Sequence, residues 1–399
     1  MLRKRSFPSK ILSWYLFDFG LSSFPTLILT FFYGAYFANV IAINPTEGAV
    51  LWGITISFSS LASLLLFLYI LVVNKKNKTH DIELFKKFYF LLISSSFILL
   101  FFNKETYAVL PLIFVSFAFV SFEFLNFFYN VTLSKVSNLK EIGLISNLGW
   151  AYGYFGGLIS LGIVILFLKL SNNEESLTYI GPFVAFWIFF FCRFHMNSSN
   201  EIKLKLPPFK TLMQSIFRRK ISSFILSYFF FNNGVICTFI FAGLYASQVL
   251  SFSESQILVL GVFINLSGAI GCISMGYVEE IVNTKNSIKI SLGALTILTI
   301  LLLRWDSLVL FWIIAMMIGF FIGPIQASSR AFLCKGIKKN DQFGVFAFYS
   351  ALGNFCSILG PFLISQLIIF SDSLRLSLYL IPLYYLIGLV LIFRVRSNV

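Results

Sequence analysis

The sequence predicts an all-α polytopic membrane protein, with twelve transmembrane helices in two six-helix bundles, and three observations carry that reading. The chain of 399 residues is 58% hydrophobic and only 12% charged, with a mean hydropathy of +0.88, a composition suited to lipid rather than to a water-soluble core. Runs of about 20 apolar residues, the length needed to cross a bilayer, recur twelve times along it. Lys and Arg gather at alternate ends of those runs.

Taken in order, the spans fall near residues 11–43, 49–73, 85–102, 107–131, 144–168 and 179–194, then 222–250, 256–282, 287–303, 308–330, 343–370 and 377–393. With the N-terminus inside, all 30 Lys and Arg except Lys104, Lys169, Arg304 and Arg375 lie on the cytoplasmic side. That bias puts both termini in the cytoplasm by the positive-inside rule. It also accounts for the net charge of +14 without a nucleic-acid partner. Met1-Leu-Arg-Lys-Arg resembles the charged start of a signal peptide. The run after it is too long and lacks a small-residue cleavage site, so it is retained as a helix. Membrane lipids are therefore the expected surroundings, a bacterial inner membrane the expected location and a monomer the expected state.

The longest internal polar segment, residues 195–221, separates a first bundle (1–194) from a second (222–399). Within it, Phe209, Leu212, Met213, Ile216 and Phe217 repeat at helical spacing beside Lys210, Arg218, Arg219 and Lys220. The pattern fits an amphipathic helix on an anionic leaflet; a solvated basic linker is the alternative. The halves echo each other. An offset of 214 sets Trp14 on Tyr228, Asp18 on Asn232 and Gly20 on Gly234, and an offset of 204 sets Gly149 on Gly353 and Gly156 on Gly360. Parallel repeats of this kind usually place the ligand path where the two halves meet. Gly149, Gly153 and Gly157 in the fifth span, with Gly353 and Gly360 in the eleventh, are spaced to let helix backbones approach closely.

Two acids lie well inside spans. Asp18 is about seven residues, roughly 10 Å, into the first, and Glu123 is about eight residues, roughly 12 Å, from the inner end of the fourth. Glu123, Asn126 and Asn130 share one helix face. Asn232 and Asn233 in the seventh span and Gln326 and Arg330 at the end of the tenth bring further polar groups to a similar level. Such residues are costly in lipid and mark solute or ion pathways. For Asp18 three readings stand: a carboxylate for proton coupling or a substrate amine, an ion-pair partner such as Arg330 at the inner mouth, or a structural hydrogen bond that bends the helix. Tyr15 and Phe17 could form an aromatic cage. The five cysteines lie in spans or near inner ends, and His80 and His195 are read as cytoplasmic loop residues. No disulfide, metal site or cofactor is therefore expected. No nucleophile and base pair, phosphate-cradling glycine loop or Walker-type lysine is present, which argues against an enzyme or a nucleotide-driven pump.

The residues also resemble a known family. Ser13-Trp-Tyr-Leu-Phe-Asp-Phe-Gly-Leu-Ser-Ser-Phe, running on to Thr30-Phe-Phe-Tyr-Gly-Ala-Tyr-Phe-Ala38, is similar to the opening helix of the vacuolar-effluxer-like (autophagy-related amino-acid exporter-like) branch of the major facilitator superfamily. Gly149-Trp-Ala-Tyr-Gly-Tyr-Phe-Gly-Gly157, Tyr228-Phe-Phe-Phe-Asn-Asn-Gly234, Gly323-Pro-Ile-Gln-Ala-Ser-Ser-Arg330 and Phe346-Ala-Phe-Tyr-Ser350 with Gly360-Pro361 resemble its fifth, seventh, tenth and eleventh helices. The resemblance implies the major facilitator fold, alternating access, and roles for Asp18, Asn232, Gln326, Ser329 and Arg330. Two departures stand out. The superfamily's Gly-x-x-x-Asp-Arg-x-Gly-Arg loop is replaced by Asn74-Lys-Lys-Asn-Lys-Thr-His-Asp81, and its second-half counterpart is read in Gly276 and Glu280. Asn233 stands where the seventh-helix motif usually has an acid. The function expected is secondary active transport of a small polar solute, with an amino acid or related metabolite among the candidates and protons as the candidate coupling ion. A lipid or drug exporter and a transport-inactive receptor on the same scaffold are the alternatives.

Overall fold

A computed structural model describes residues 9–73, 81–103, 107–171, 174–198, 213–214, 216–217, 219–305, 307–338 and 341–395. Among them no strand occurs, and twelve helices are long and apolar enough to cross a membrane. These are α1 (Lys10–Ile41), α2 (Glu47–Val72), α3 (Glu83–Phe101), α4 (Val109–Val136), α5 (Ile142–Ser171) and α6 (Ser176–His195), then α7 (Ile221–Gln248), α8 (Gln256–Val282), α9 (Thr284–Arg304), α10 (Leu308–Gly336), α11 (Gln342–Ser371) and α12 (Leu374–Arg394). Each lies within a few residues of the run that predicts it, because in lipid a helix that satisfies its own backbone is the stable form of an apolar run. Half of the expected amphipathic helix at 209–220 falls outside the described residues, as does His80.

Local chemistry fixes several ends. Ser253 and Gln256 form a reciprocal cap at the start of α8, with Gln256 N donating to Ser253 Oγ at 3.4 Å and Ser253 N donating to Gln256 Oε1 at 2.9 Å. Between α8 and α9 a single residue, Asn283, turns the chain at φ 68°, and its side chain caps α9 by accepting from Asn286 N at 3.1 Å. α1 is less regular. Its C-terminal half carries two π-helical stretches, Phe24–Phe31 and Phe37–Ile41, with Phe32 N donating to Leu27 O and Ala42 N to Phe37 O. Such widened turns are uncommon and gather at functional sites. In α10, Pro324 has no N–H to give the carbonyl of Phe320 four residues back. Gly271 of α8 comes up against that oxygen, so closely that a Cβ there would lie 1.9 Å away.

The chain divides into two compact units. Unit 1 takes the described residues within Met1–Ser59, Asn77–Asn138 and Tyr152–Leu204, and unit 2 those within Ser60–Lys76, Leu139–Ala151 and Lys205–Val399. The division is not contiguous in sequence, since the later part of α2 and the first ten residues of α5 group with unit 2. Inside unit 1, α1 packs on α6, and α3 on α4 and α6; inside unit 2, α7 packs on α12, and α9 on α10 and α12.

The echo between the halves recurs as matched contacts. Gly20 lies against Phe191 and Cys192 of α6, and Gly234 against Tyr385 of α12. Gly156 lies on Phe19, and Gly360 on Asn233. Tyr15 stacks on Tyr152, and their counterparts Phe229 and Cys356 meet through the Cys356 thiol, which donates to the Phe229 carbonyl at 3.5 Å.

Candidate functional site

In unit 1, Asp18 is half-buried on α1 and faces α5, where the absence of a side chain at Gly153 makes room for it. A Cβ on Gly153 would come within 2.9 Å of Ser22 Oγ and 3.0 Å of Asp18 Oδ2. Gly157, one turn on, faces Thr26, and a Cβ there would lie 2.6 Å from Thr26 Oγ1. Glu123, Asn126 and Asn130 are half-buried along α4 among the buried Phe124, Phe127 and Phe128. The aromatic residues beside Asp18 are packed and do not form an open cage. Trp14 stacks on Tyr129 at 4.0 Å and donates from Nε1 to its carbonyl at 3.1 Å, and Tyr15 stacks on Tyr152 at 4.8 Å. Phe17 sits among Phe85, Tyr129 and His195. Neighbouring rings therefore fill the space that a cage at Tyr15 and Phe17 would leave for a ligand. His195 is corrected by the same contact: it is a buried residue at the end of α6, not a loop residue, because the helix runs on beneath the Phe17 ring.

In unit 2 the predicted amides meet. Gln326 of α10 is half-buried and donates from Nε2 to Asn232 Oδ1 of α7 at 3.0 Å. Asn233 is fully buried and donates from Nδ2 to Phe229 O at 2.7 Å and to Cys356 Sγ at 3.2 Å. Gly353 of α11 lies beside Tyr228 and Asn232, where a Cβ would come within 3.2 Å of the Tyr228 hydroxyl and 3.9 Å of Asn232 Nδ2. Arg330 is 3% exposed and grips the N-terminal end of α5, with Nε donating to Ser146 Oγ and a terminal guanidinium nitrogen to Ser146 O, each at 2.7 Å. Ser146 in turn donates to the Ala327 carbonyl at 2.6 Å. Gly149 and Trp150 lie in the same part of α5, and the guanidinium lies 5.9 Å from the Trp150 ring.

Sequence reasoning missed one charged residue. The acid that matters after Gly276 is Glu279, not Glu280: Glu279 is 2% exposed and Glu280 lies on the surface. Glu279 accepts from Ser328 Oγ at 2.6 Å, Thr284 Oγ1 at 2.7 Å and Asn147 Nδ2 at 3.1 Å, with Lys335 Nζ at 3.9 Å. Lys335 also donates to Thr284 Oγ1 at 2.6 Å. The carboxylate covers the first turn of α5 so closely that a Cβ on Gly143 would lie 2.0 Å from Oε1, the position where a helix dipole favours negative charge. The tight turn at Asn283 brings Thr284 back onto Glu279. No spacing in the sequence separated the two, because residues three and four positions after Gly276 both share its helix face; Gly276 itself lies against Asn147. Among the described residues no three or more His, Cys, Asp or Glu side chains are grouped to hold a metal ion.

Comparison with known proteins places this geometry in a family. The uncharacterized MFS-type transporter YxiO of Bacillus subtilis (strain 168) is 24% identical over 406 aligned positions, covering 95% of this chain and 93% of that protein. A bacterial homologue of the iron transporter ferroportin, in an outward-facing state with soaked iron, shares the fold with a TM-score of 0.76 at 11% identity, covering 99% of this chain and all of that one. The fucose:proton symporter FucP of E. coli, as a point variant, does so with a TM-score of 0.74 at 12% identity, covering 99% and 100%. The family model described as "Vacuole effluxer Atg22 like" matches residues 132–398. On that match the chain belongs to the Atg22-like vacuole effluxer family, transporters of the major facilitator superfamily and not enzymes.

Proposed function

We propose that this transporter is a secondary carrier that moves a small polar solute across a bacterial inner membrane by alternating access between two six-helix bundles, with Asp18 as its coupling acid. An amino acid or a related metabolite is the solute class. The observation that carries the reading is the amide pair of Asn232 and Gln326, joined at 3.0 Å with Gln326 still partly open. Partly open amides in an apolar span keep their cost low only by meeting other polar groups or a polar solute. Asp18 adds an acid where a glycine of α5 leaves it space. Proton coupling draws support from the fucose:proton symporter that shares the fold, and export from the effluxer family.

Purified protein in proteoliposomes, tested with a panel of amino acids, sugars and organic acids with and without a pH gradient, tests the reading. Gradient-driven accumulation of a panel member is expected. Asp18→Asn should abolish that accumulation and leave solute exchange, whereas unchanged accumulation would remove Asp18 from the mechanism. Absence of flux for the whole panel would overturn the carrier reading.

A further inference from the structure

We propose that unit 2 holds a buried binding site for a soft monovalent metal cation of the Cu(I) class, formed by Cys237 and Asn233 of α7 and Cys356 of α11. The site lies beside the amide pair and is no part of the transport reading. Asn233 and Cys237 are four residues apart on α7 and share a face, as Cys356 and Gly360 do on α11. Those two faces meet. Asn233 Nδ2 is 3.2 Å from Cys356 Sγ, and Asn233 Oδ1 and Cys237 Sγ both lie 2.8 Å from the point a Cβ on Gly360 would occupy. The Asn233 carboxamide thus meets the Cys356 thiol through its nitrogen and shares the hollow over Gly360 with the Cys237 thiol. All three side chains are fully buried, and neither cysteine is in a disulfide.

Two further observations point to a ligand rather than to packing alone. Asn233 Oδ1 is a buried acceptor with no hydrogen-bond partner among the described residues, and an unmet buried acceptor costs about 1–3 kcal/mol. The structural repeat shows that packing does not require these groups. The positions matching Asn233, Cys237 and Cys356 in unit 1 are Phe19, Ser23 and Tyr152, and there Phe19 closes on Gly156 without a sulfur atom. Unit 2 thus places two soft sulfur donors and one vacant oxygen where unit 1 has two aromatic rings and a serine.

Thiolate sulfur selects Cu(I) over harder ions. As the cation enters, one S–H bond breaks, its proton leaves to water and one S–metal bond forms. The charge of the buried site is unchanged, which avoids the cost of a lone ion in an apolar interior. The second sulfur and Asn233 Oδ1 complete the coordination as neutral donors.

The test uses the purified full chain in detergent under anaerobic, reducing conditions, with Cu(I) supplied from a chromophoric chelator. Transfer of one Cu(I) per chain is expected, with a rise in melting temperature because only the folded state holds the site. Cys237→Ser and Cys356→Ser should each lose that equivalent, and Cys356→Met, which keeps a soft sulfur, should retain it. Asn233→Leu should weaken binding roughly 10- to 100-fold, the range for losing an auxiliary partner at a metal site. Cys192→Ser, Cys272→Ser and Cys334→Ser should bind as the natural chain does. Failure of the natural chain to take Cu(I) from the chelator would overturn the proposal. So would an equivalent that survives in a folded Cys237→Ser or Cys356→Ser protein, or one lost in the Cys192, Cys272 or Cys334 variants.

Discussion

Glu279 and Glu280 are adjacent, chemically alike and unequal in consequence. Glu279 is an acceptor for three side chains and faces a lysine. Removing it would leave Lys335 as a partly buried charge and take away an acceptor shared by Ser328, Thr284 and Asn147. Breaking a buried charged network by deleting one member costs about 3–5 kcal/mol. Glu279→Ala is therefore expected to destabilise the folded protein by about that much, read as a lower melting temperature in detergent, with a smaller loss for Glu279→Gln because it keeps an acceptor in place. Glu280→Gln on the surface should stay within about 0.5 kcal/mol. Equal losses at the two positions would contradict the network. The acid could be recognised in the sequence as a member of the post-α8 motif, but not which of the two glutamates was buried. That choice depends on the first turn of α5, far away in the chain. Asn232 and Gln326 were legible as a polar layer for a different reason: an amide inside an apolar run stands out wherever its partner comes from.

At the scale of the helix, the glycines of α5 separate into kinds that their spacing does not distinguish. Gly156 sits on the backbone of α1, where a Cβ would lie 2.0 Å from the Phe19 carbonyl oxygen, whereas Gly162 has nothing within 4 Å. Backbone atoms cannot rotate aside as a side chain can. Gly156→Ala is thus expected to cost about 1–3 kcal/mol by overpacking. Gly162→Ala should be neutral or gain up to about 1 kcal/mol from helix propensity. Thermal unfolding of both variants in one detergent checks the contrast, and a Gly156→Ala protein as stable as the natural one would refute the close approach. Glycine spacing showed that helices would meet closely, but identifying the glycines at a seam requires the partner helix. The π-helical stretches of α1 were equally hidden, since hydropathy is blind to whether a carbonyl is bonded four or five residues on. The contact of Gly271 with Phe320 was half visible, because Pro324 announces a freed carbonyl without saying what covers it.

For the whole molecule, the twelve spans were legible because a bilayer imposes one rule on every run that crosses it. The grouping of parts of α2 and α5 with unit 2 was not, because it depends on contacts between residues distant in sequence. Orientation follows from charge, and it yields a prediction independent of any site. Arg330, Lys335, Lys285 and Lys289 all lie at one end of their helices, while Lys169, Arg304 and Arg375 lie at the other. Lys and Arg near span ends set the orientation in which a membrane protein inserts. Both ends of the chain should therefore face the cytoplasm. A fluorescent protein that matures only in the cytoplasm should fluoresce when fused after Val399, and alkaline phosphatase fused there should be inactive. Fusions after Ser171, at the outer end of α5, should behave in the opposite way. An active phosphatase at Val399 would reverse the orientation. Asp18, roughly 10 Å from the inner end of α1, would then lie near the outer face, and proton coupling through it would have to draw on the opposite compartment.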